Sequence, residues 1–332
     1  MKQAEPVAPK PLTFALLRLL ADGDFHSGEE MAQRLELSRA TVHNALQDAE
    51  RYGLTLHSVR GRGYQLAQPL HWLDAGQIAE YLDDVRDSLR LEILDHAVSS
   101  NALLLQRAAQ GAAGGNVLAV EWQSAGRGRL GRTWHSGLGD ALTFSVLWRF
   151  ESGLAALSGL SLAVGVATVR ALHELGVKDA GLKWPNDVLL RDGKLAGILL
   201  EAQGDMLGPS AVVIGIGMNL SLPAQIRRQI EQPASDLAAC GISLRERNRV
   251  LALLLKHLVR MLREFAVHGF APLRGEWESY HLLQHRPARL LMPDGSSVEG
   301  VVRGVTEEGA LRLETVAGEK IFNAGEISLR SA

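Results

Sequence analysis

Residues 126–134 read GRGRLGRTW and combine two residue types suited to enclosing a phosphorylated molecule. Glycine lets the backbone approach a ligand closely, and arginine has a planar fork of donors that matches carboxylate and phosphate oxygens. This stretch joins two apolar, strand-like runs at 117–122 and 142–148, and the sequence of a P-loop is absent from the chain. We predict a loop that closes over a phosphorylated small molecule. The alternative is a basic surface turn or an RGG-like nucleic-acid tail, although such tails lie in polar low-complexity tracts.

A second group of polar residues lies at 183–187, which read KWPND and precede a predicted hairpin. Asp192 and Gly193 stand between two apolar runs, which is a strong hairpin signal. Lys194 begins the returning strand beside this tight turn, so we expect its side chain to be rigidly aimed. Gly197 lies inside the same strand, where the close approach of a ligand or of backbone favours glycine.

A third candidate is the helix that Ser99, Ser100 and Asn101 begin after a strand-like run at 91–98. Serine and asparagine are good helix N-caps, and Gly111 is a typical C-terminal stop. The free N–H groups of such a helix end suit a carboxylate or an amide carbonyl. Taken alone, this stretch is better explained by capping.

The composition is that of a soluble globular protein. The chain has 332 residues, of which 46% are hydrophobic and 22% charged, so two or three domains are expected. The net charge is −2, and any contact with nucleic acid must therefore come from a local patch.

The single cysteine, Cys240, excludes a disulfide framework and a cysteine-based metal site, and it makes a thioester mechanism improbable. We predict that it is a small buried apolar residue. The sequence contains neither a signal peptide nor an uninterrupted run of 18 apolar residues, which predicts a cytoplasmic protein without membrane association.

The N-terminal part of the chain predicts a helix-turn-helix. An apolar helix at 12–21 ends at a turn, and a capping box at Ser27 opens a second helix that stops near Leu37. Ser38 caps a third helix, whose apolar residues at 42, 45, 46 and 49 form one face. The other face is polar near the start of the helix, as in a DNA-recognition helix.

Two strands at 54–59 and 64–67 follow, joined through a tip that contains Arg60 and Arg62. A hairpin of this kind after a helix-turn-helix resembles the wing of a winged-helix domain. Over residues 38–64, four arginines stand against two acidic residues, a net charge of +2, so tight binding to DNA implies a dimer. A helical dimerisation or peptide-binding module is the alternative. The predicted DNA-binding residues are Ser38, Arg39, Thr41, His43, Asn44, Arg60 and Arg62.

The rest of the chain mixes antiparallel hairpins with long helices at 157–175 and 244–267, which predicts an α+β mixed sheet rather than a doubly wound one. From residue 285 the composition changes to short strands, which predicts a small β-barrel of about fifty residues. The expected domains are a winged helix at 1–67, a ligand-binding domain at 68–284 and the barrel at 285–332.

With the motifs at 126–134, 183–187, 194–197 and 213–219 in this order, the chain resembles the bifunctional biotin–protein ligases that double as biotin operon repressors. The resemblance extends from the winged helix to the terminal motif at 325–330. Lipoate ligases share the catalytic fold but lack the first two motifs together. The implied fold is α+β and multidomain, with a mixed-sheet ligase domain and a C-terminal SH3-like barrel.

The resemblance implies that the enzyme joins biotin to ATP as biotinyl-5′-AMP and then passes biotin to a lysine of the biotin carboxyl carrier protein of acetyl-CoA carboxylase. It also implies a biotinyl-AMP-bound homodimer that binds operator DNA and represses biotin synthesis genes. The alternatives are a ligase without operator-specific repression and a non-catalytic biotin-sensing transcription factor. Lys183, Asp187 and Lys194 argue against the sensor, since a sensor needs no phosphate chemistry.

Site residues also follow from the resemblance. A carboxylate that attacks an α-phosphorus needs positive charge and positioning, and the implied catalytic residues are Lys194, Arg129 and Lys183. The implied biotin-binding residues are Ser99, Ser100, Asn101, Gln123, Arg127, Gly128, Arg129, Lys194 and Gly197. The implied nucleotide-binding residues are Arg127, Arg132, Trp134, Asn186, Asp187 and Asn219. Asp187 is the implied ligand of Mg²⁺, which prefers one or two carboxylates plus phosphate oxygens.

Overall fold

The computed structural model of the protein describes residues 11–292, 294–324 and 328–331. Residues 1–10 of the predicted winged helix and residues 325–327 of the terminal motif lie outside the described residues. Within the described ranges, no helix has the length and apolar character that a bilayer crossing requires.

The N-terminal part is a helix-turn-helix followed by a two-stranded wing, as predicted. Its elements are α1 (Pro11–Leu19), α2 (Gly28–Arg34), α3 (Arg39–Leu46), β1 (Leu56–Val59) and β2 (Gly63–Leu66). Ser27 and Ser38 cap α2 and α3 with their hydroxyl oxygens, because these short helices must satisfy their free N–H groups. The two wing strands pair antiparallel.

The central part is built on a seven-stranded sheet. Its elements are α4 (Ala75–Ala79), β3 (Arg90–Ala97), α5 (Ser100–Ala109), β4 (Asn116–Gln123), β5 (Ala141–Phe150), α6 (Leu160–Glu174), β6 (Ala180–Lys183), β7 (Asp187–Leu190), β8 (Gly193–Gly204), β9 (Ser210–Asn219), α7 (Ala224–Arg227), α8 (Arg247–His268) and α9 (Arg274–Tyr280). The strand order is β3-β4-β5-β9-β8-β7-β6. The β3–β4 pair is parallel and the other pairs are antiparallel, which confirms the mixed sheet.

Both faces of this sheet are covered. In β4, Val117 and Ala119 join the large core that α6 and α8 form on one face. Leu118 and Val120 belong to a smaller core under α5 on the other face, because successive side chains of a strand point to opposite faces. Cys240 packs against the large core but is only half-buried, so the prediction of a buried cysteine was wrong.

The C-terminal part is an antiparallel sheet of five strands. They are β10 (Pro287–Leu291), β11 (Ser297–Val305), β12 (Leu311–Thr315), β13 (Gly318–Phe322) and β14 (Ser328–Ser331), in the order β13-β12-β11-β10-β14. Among the described residues, no pairing joins β13 to β14 and closes a barrel. The strands were predicted except for β14, and the barrel closure stays a prediction.

The winged helix packs on the central sheet through aromatic and charged contacts. Tyr52 meets Trp122 of β4 edge to face, with 5.0 Å between ring centroids. The guanidinium of Arg18 lies 4.1 Å from the Trp72 ring centroid and 2.6 Å from the Asp95 carboxylate. These contacts fix the orientation of the winged helix relative to the central sheet.

The linker between the two parts, residues 67–74, is held by a buried ion pair. Arg247 of α8 lies 2.7 Å from Glu121 of β4, with side chains that are 1% and 0% exposed. Arg247 also donates to the carbonyl of His71, and Glu121 accepts from the Leu73 amide at 2.6 Å. Because the linker backbone takes part in this network, the network holds the chain where it leaves the winged helix.

Candidate active site

The glycine–arginine loop folds back on itself above the sheet. The Gly128 amide donates to the Arg132 carbonyl at 2.7 Å, and the Trp134 amide donates to the Gly126 carbonyl at 2.9 Å. Leu130 at the tip has a φ of 58° and is half-exposed. The loop therefore presents its arginines as a compact arch rather than as an extended tail.

A first pocket, which we call the inner pocket, lies between the start of α5, the loop and the middle of β8 and β9. All nine residues predicted to bind biotin line it: Ser99, Ser100, Asn101, Gln123, Arg127, Gly128, Arg129, Lys194 and Gly197. The structure brings these residues together from four separate parts of the chain. Their role in binding stays a prediction.

The start of α5 holds a chain of hydrogen bonds. Asn101 Nδ2 donates to Glu201 at 2.9 Å, which leaves Asn101 Oδ1 to accept from Ser145 Oγ at 2.5 Å. Because the Ser145 hydroxyl proton is used in that bond, Ser100 Oγ must be the donor in the 2.7 Å hydrogen bond between the two hydroxyls. The Ser100 oxygen keeps its lone pairs, so the inner pocket offers an acceptor there.

Two residues that hydrogen-bond to the lining of this pocket were missed in the sequence. Ser145 is fully buried in the apolar strand β5, and a buried hydroxyl in an apolar strand needs a polar partner. Glu201 of β8 binds both Asn101 and Arg127, the latter at 2.8 Å. The only signal in the sequence was the presence of each polar residue in an otherwise apolar strand.

The floor of the inner pocket leaves no room for a side chain at Gly217 and little room at Gly197. A Cβ on Gly217 would lie 2.6 Å from Cε2 of Trp134, and a Cβ on Gly197 would lie 3.1 Å from Cε of Lys194. The Trp134 indole therefore rests directly on the β9 backbone. Its Nε1 is buried and has no hydrogen-bond partner among the described residues.

A second pocket, the outer pocket, adjoins the first. Its lining includes Arg132, Trp134, Lys183, Asn186, Asp187 and Asn219. Five of the six residues predicted to bind the nucleotide are therefore present. Arg127, the sixth, is absent from the described lining, because its guanidinium is held by Glu201 beside the inner pocket.

Five residues line both pockets: Gly128, Arg129, Trp134, Asn186 and Lys194. Lys194 Nζ lies 2.6 Å from the carboxylate of Asp187. Arg129 donates to Asn186 Oδ1 at 3.1 Å and to the Ala324 carbonyl of the C-terminal sheet. Two cations thus stand at the boundary between the pockets.

Two cations of the outer pocket, Lys183 and Arg129, are partly buried. Burial lowers the pKa of Lys183, Asp187 opposes this change, and the nearby cations Arg330, Lys194 and Arg132 add to it. Burial also lowers the pKa of the Arg129 guanidinium, against the effect of Asp187. A phosphate group placed here would offset both burial penalties, because an anion within a few ångströms favours the charged form of a base.

Backbone hydrogen bonds place Lys194. Its amide donates to the Pro233 carbonyl at 2.9 Å, and its carbonyl accepts from Asn219 Nδ2 at 3.2 Å. Asn186 similarly donates to the Ile198 carbonyl at 2.8 Å. Asn186 and Asn219 therefore fix the pocket walls in addition to facing the pocket.

For a metal, the described residues contain no group of three or more His, Cys, Asp or Glu side chains that could hold the ion. Asp187 is the one carboxylate among the described residues that line the outer pocket. One carboxylate suits an ion that arrives with phosphate oxygens as further ligands.

The predicted DNA-binding residues lie on α3 and the wing, as expected. The Ser38 hydroxyl accepts from the Thr41 amide at 3.1 Å, so these two residues also form the helix cap. Arg39, Asn44, Arg60 and Arg62 have exposed side chains. The guanidinium of Arg62 lies over the Phe25 ring, 4.0 Å from its centroid.

Comparison with known proteins agrees with this geometry. The Biotin/lipoate A/B protein ligase family matches residues 97–219, an HTH domain matches residues 12–65, and the Biotin protein ligase C terminal domain matches residues 286–330. The bifunctional ligase/repressor BirA of Escherichia coli K12 is 39% identical over 96% of this chain and 97% of its own length.

The chain belongs to the biotin protein ligase family, in its bifunctional ligase/repressor form. A biotin–[acetyl-CoA-carboxylase] ligase of Mycobacterium tuberculosis is 34% identical over 72% of this chain and 88% of its own. The biotin protein ligase of Aquifex aeolicus, solved in complex with biotin and ATP, has a TM-score of 0.63 and 31% identity, and it covers 73% of this chain and 99% of its own. The protein is thus a biotin ligase with a DNA-binding domain.

Proposed function

We propose that the ligase activates biotin where the inner and outer pockets meet. The observation that carries this proposal is that Arg129 and Lys194 line both pockets. Biotin in the inner pocket and ATP in the outer pocket would direct the biotin carboxylate and the α-phosphorus toward these two cations. A bond forms between a carboxylate oxygen and the α-phosphorus, and the bond to the β-phosphate oxygen breaks to release pyrophosphate.

The chain supplies charge and position rather than a nucleophile. Lys194 and Arg129 would neutralise the oxygens of carboxylate and α-phosphate that otherwise repel each other. Lys183, which lines the outer pocket but not the inner one, would bind the departing phosphates. In the inner pocket, the lone pairs of Ser100 would accept from a ureido N–H of biotin, and Asn101 and Gln123 lie beside it.

Trp134, Arg132 and Asn219 would contact the nucleotide, and Asp187 with phosphate oxygens would hold Mg²⁺. The ion, when bound, would supply positive charge that reduces repulsion between the phosphates. Asp187 fits this role as a single carboxylate, but it must then exchange its ion pair with Lys194 for contact with the ion. That exchange would leave the Lys194 ammonium available for the reacting oxygens.

In the second step, the ε-amine of an acceptor lysine attacks the carbonyl of biotinyl-5′-AMP. A C–N bond forms, the C–O bond to phosphate breaks, AMP leaves and the amine loses a proton. We propose the biotin carboxyl carrier protein of acetyl-CoA carboxylase as the acceptor and the cytoplasm as the location. The C-terminal sheet, proposed as an SH3-like barrel, borders the outer pocket through Leu329.

The two half-reactions test this proposal. Purified protein with biotin and ATP should release pyrophosphate and retain biotinyl-AMP, and later addition of the carrier protein should release AMP and label one lysine. Binding of biotin and ATP without pyrophosphate release would identify a sensor rather than a ligase.

The loop should retain the reactive adenylate, since a mixed anhydride must be kept from water until the acceptor arrives. Arg129→Gly would remove the contacts to Asn186 and Ala324. We expect the variant to form the adenylate more slowly, because Arg129 also faces the reacting oxygens, to release it at least 10-fold faster, and to label lysines on unrelated proteins. Filter retention of labelled biotinyl-AMP measures this.

Leu130→Gly is the matched control for added backbone freedom, because Leu130 has a left-handed φ that glycine adopts readily. This control should keep the adenylate as the native protein does. Equal retention by Arg129→Gly would exclude the loop as a lid.

For repression, we propose a homodimer that forms when biotinyl-AMP is bound. Met206 and Leu207, at the turn between β8 and β9, are 64% and 91% exposed, and an exposed apolar pair at a sheet end suits contact with a second copy. One winged helix with a net charge near +2 binds DNA weakly, whereas two on adjacent half-sites gain from their effective concentration.

Operator affinity should therefore rise when biotin and ATP are both present, because a ligand shifts an equilibrium only through differential affinity for the two states. We expect a rise of at least 10-fold at fixed salt, with a parallel increase in dimer by sedimentation. Leu207→Glu should abolish the rise and leave adenylate formation intact. The same affinity with and without the adenylate would indicate an unregulated winged helix.

A further inference from the structure

His43 was predicted to contact DNA, but both of its ring nitrogens are engaged within the protein. Nδ1 lies 2.9 Å from the Tyr64 hydroxyl on β2, and Nε2 lies 2.9 Å from the side-chain amide nitrogen of Gln47. The imidazole therefore connects the recognition helix α3 to the wing. A base-reading side chain needs free donors or acceptors directed into the groove.

The hydrogen bonds also determine where the protons lie. The Gln47 amide donates to Nε2 of His43, so the proton of the neutral imidazole is on Nδ1. Nδ1 then donates to the Tyr64 oxygen, and the phenolic proton of Tyr64 is left for another acceptor. A hydroxyl donor beside the recognition helix suits a phosphate oxygen of the DNA backbone.

Tyr64 is in turn fixed from two sides. Its backbone exchanges two hydrogen bonds with His26, at 2.8 Å and 2.9 Å. Its ring packs on the first turn of α2, where a Cβ on Gly28 would lie 3.1 Å from Cε2 of the ring. Next to His26, the Phe25 ring supports the guanidinium of Arg62 at the wing tip.

We propose that His43 and Tyr64 form a strut between recognition helix and wing, in which Tyr64 donates to a DNA phosphate and His43 reads no base. This inference rests on the DNA-binding function and adds a contact residue, Tyr64, that the sequence did not single out. Because phosphate contacts carry no sequence information, losing the strut weakens binding to every duplex by a similar factor.

The test uses the full-length protein with biotin and ATP and two duplexes. One is selected by the native protein from a random pool, and the other is an unrelated duplex of equal length. His43→Ala and Tyr64→Phe should each weaken binding to both duplexes by about 3–10-fold, as expected for one net hydrogen bond. The double variant should bind no more weakly than either single variant.

Asn44→Ala is the matched control, since Asn44 neighbours His43 on α3 and its side chain is exposed. Its effect should add to that of Tyr64→Phe. The strut is overturned if His43→Ala and Tyr64→Phe are additive, or if His43→Ala changes the ratio of affinities for the two duplexes. Biotin transfer by the same preparations should stay unchanged, and this activity serves as the control that the variants are folded.

A measurement without DNA separates the strut from the repressor function. In ¹⁵N spectra, Nδ1 of His43 should show the protonated form in the native protein, and both ring nitrogens should shift in Tyr64→Phe. Unchanged His43 shifts would overturn the strut. Failure of the native protein to select any duplex would instead count against operator recognition.

Discussion

Replacing Lys194 with alanine should slow pyrophosphate release by about 10²–10³-fold, the usual loss when one preorganised donor to a reacting oxygen is removed. The backbone of Lys194 is held by Pro233 and Asn219, so the strand should keep its position without the ammonium group. Biotin binding should weaken much less than the reaction slows, because the inner pocket is lined by many other residues.

Lys178→Ala provides the control. The Lys178 ammonium donates a hydrogen bond to the His173 carbonyl on the surface, and Lys178 is not among the described residues that line either pocket. This variant should release pyrophosphate at the native rate. Release at that rate by Lys194→Ala would remove Lys194 from the catalytic residues, and a loss of cooperative unfolding would show that the lysine is structural.

Lys194 is an example of a site residue whose position the sequence predicted. The turn signal at Asp192 and Gly193 placed it at the start of a strand, and β8 begins at Gly193. Its partner Asp187 lies across the hairpin, where pairing of the two strands brings the residues together. Local hairpin chemistry was sufficient to place Lys194 because only short sequence separations are involved, whereas its ion pair with Asp187 was not predicted.

Contacts between distant parts of the chain could not be predicted in this way. Ser145 and Glu201 meet Asn101 across separations of 44 and 100 residues, and nothing local to either strand determines that pairing. The loop shows the same limit. Its alternating glycines and arginines did not reveal that Arg127 faces Glu201 while Arg129 reaches Asn186 and the C-terminal sheet.

The fold shows a similar division. The apolar runs at β4 and β5 predicted strands. Because these runs are continuously apolar, they have no alternation that shows which face of each strand packs against which helix. Strand β14 was not predicted because it has only four residues and lies at the edge of its sheet, where pairing with β10 determines it.

The largest effect on stability should come from Arg247→Met, at the junction of the winged helix and the central sheet. This change leaves the fully buried carboxylate of Glu121 without its cation and releases the His71 carbonyl. Removing one partner of a buried ion pair typically costs about 3–5 kcal/mol. Urea unfolding followed by tryptophan fluorescence is a direct measurement, since Trp72 lies in the linker and Trp122 contacts Tyr52 of the winged helix.

Arg249→Met is the matched control on the same helix, because Arg249 pairs with Glu246 at 3.0 Å but is 43% exposed. Exposed ion pairs contribute about 0.2–1 kcal/mol, so this variant should unfold almost as the native protein does. Adding Glu121→Gln to Arg247→Met should recover part of the loss, since a neutral amide is less costly to bury than an unpaired carboxylate. Equal losses for Arg247→Met and Arg249→Met would mean that the buried pair does not hold the linker.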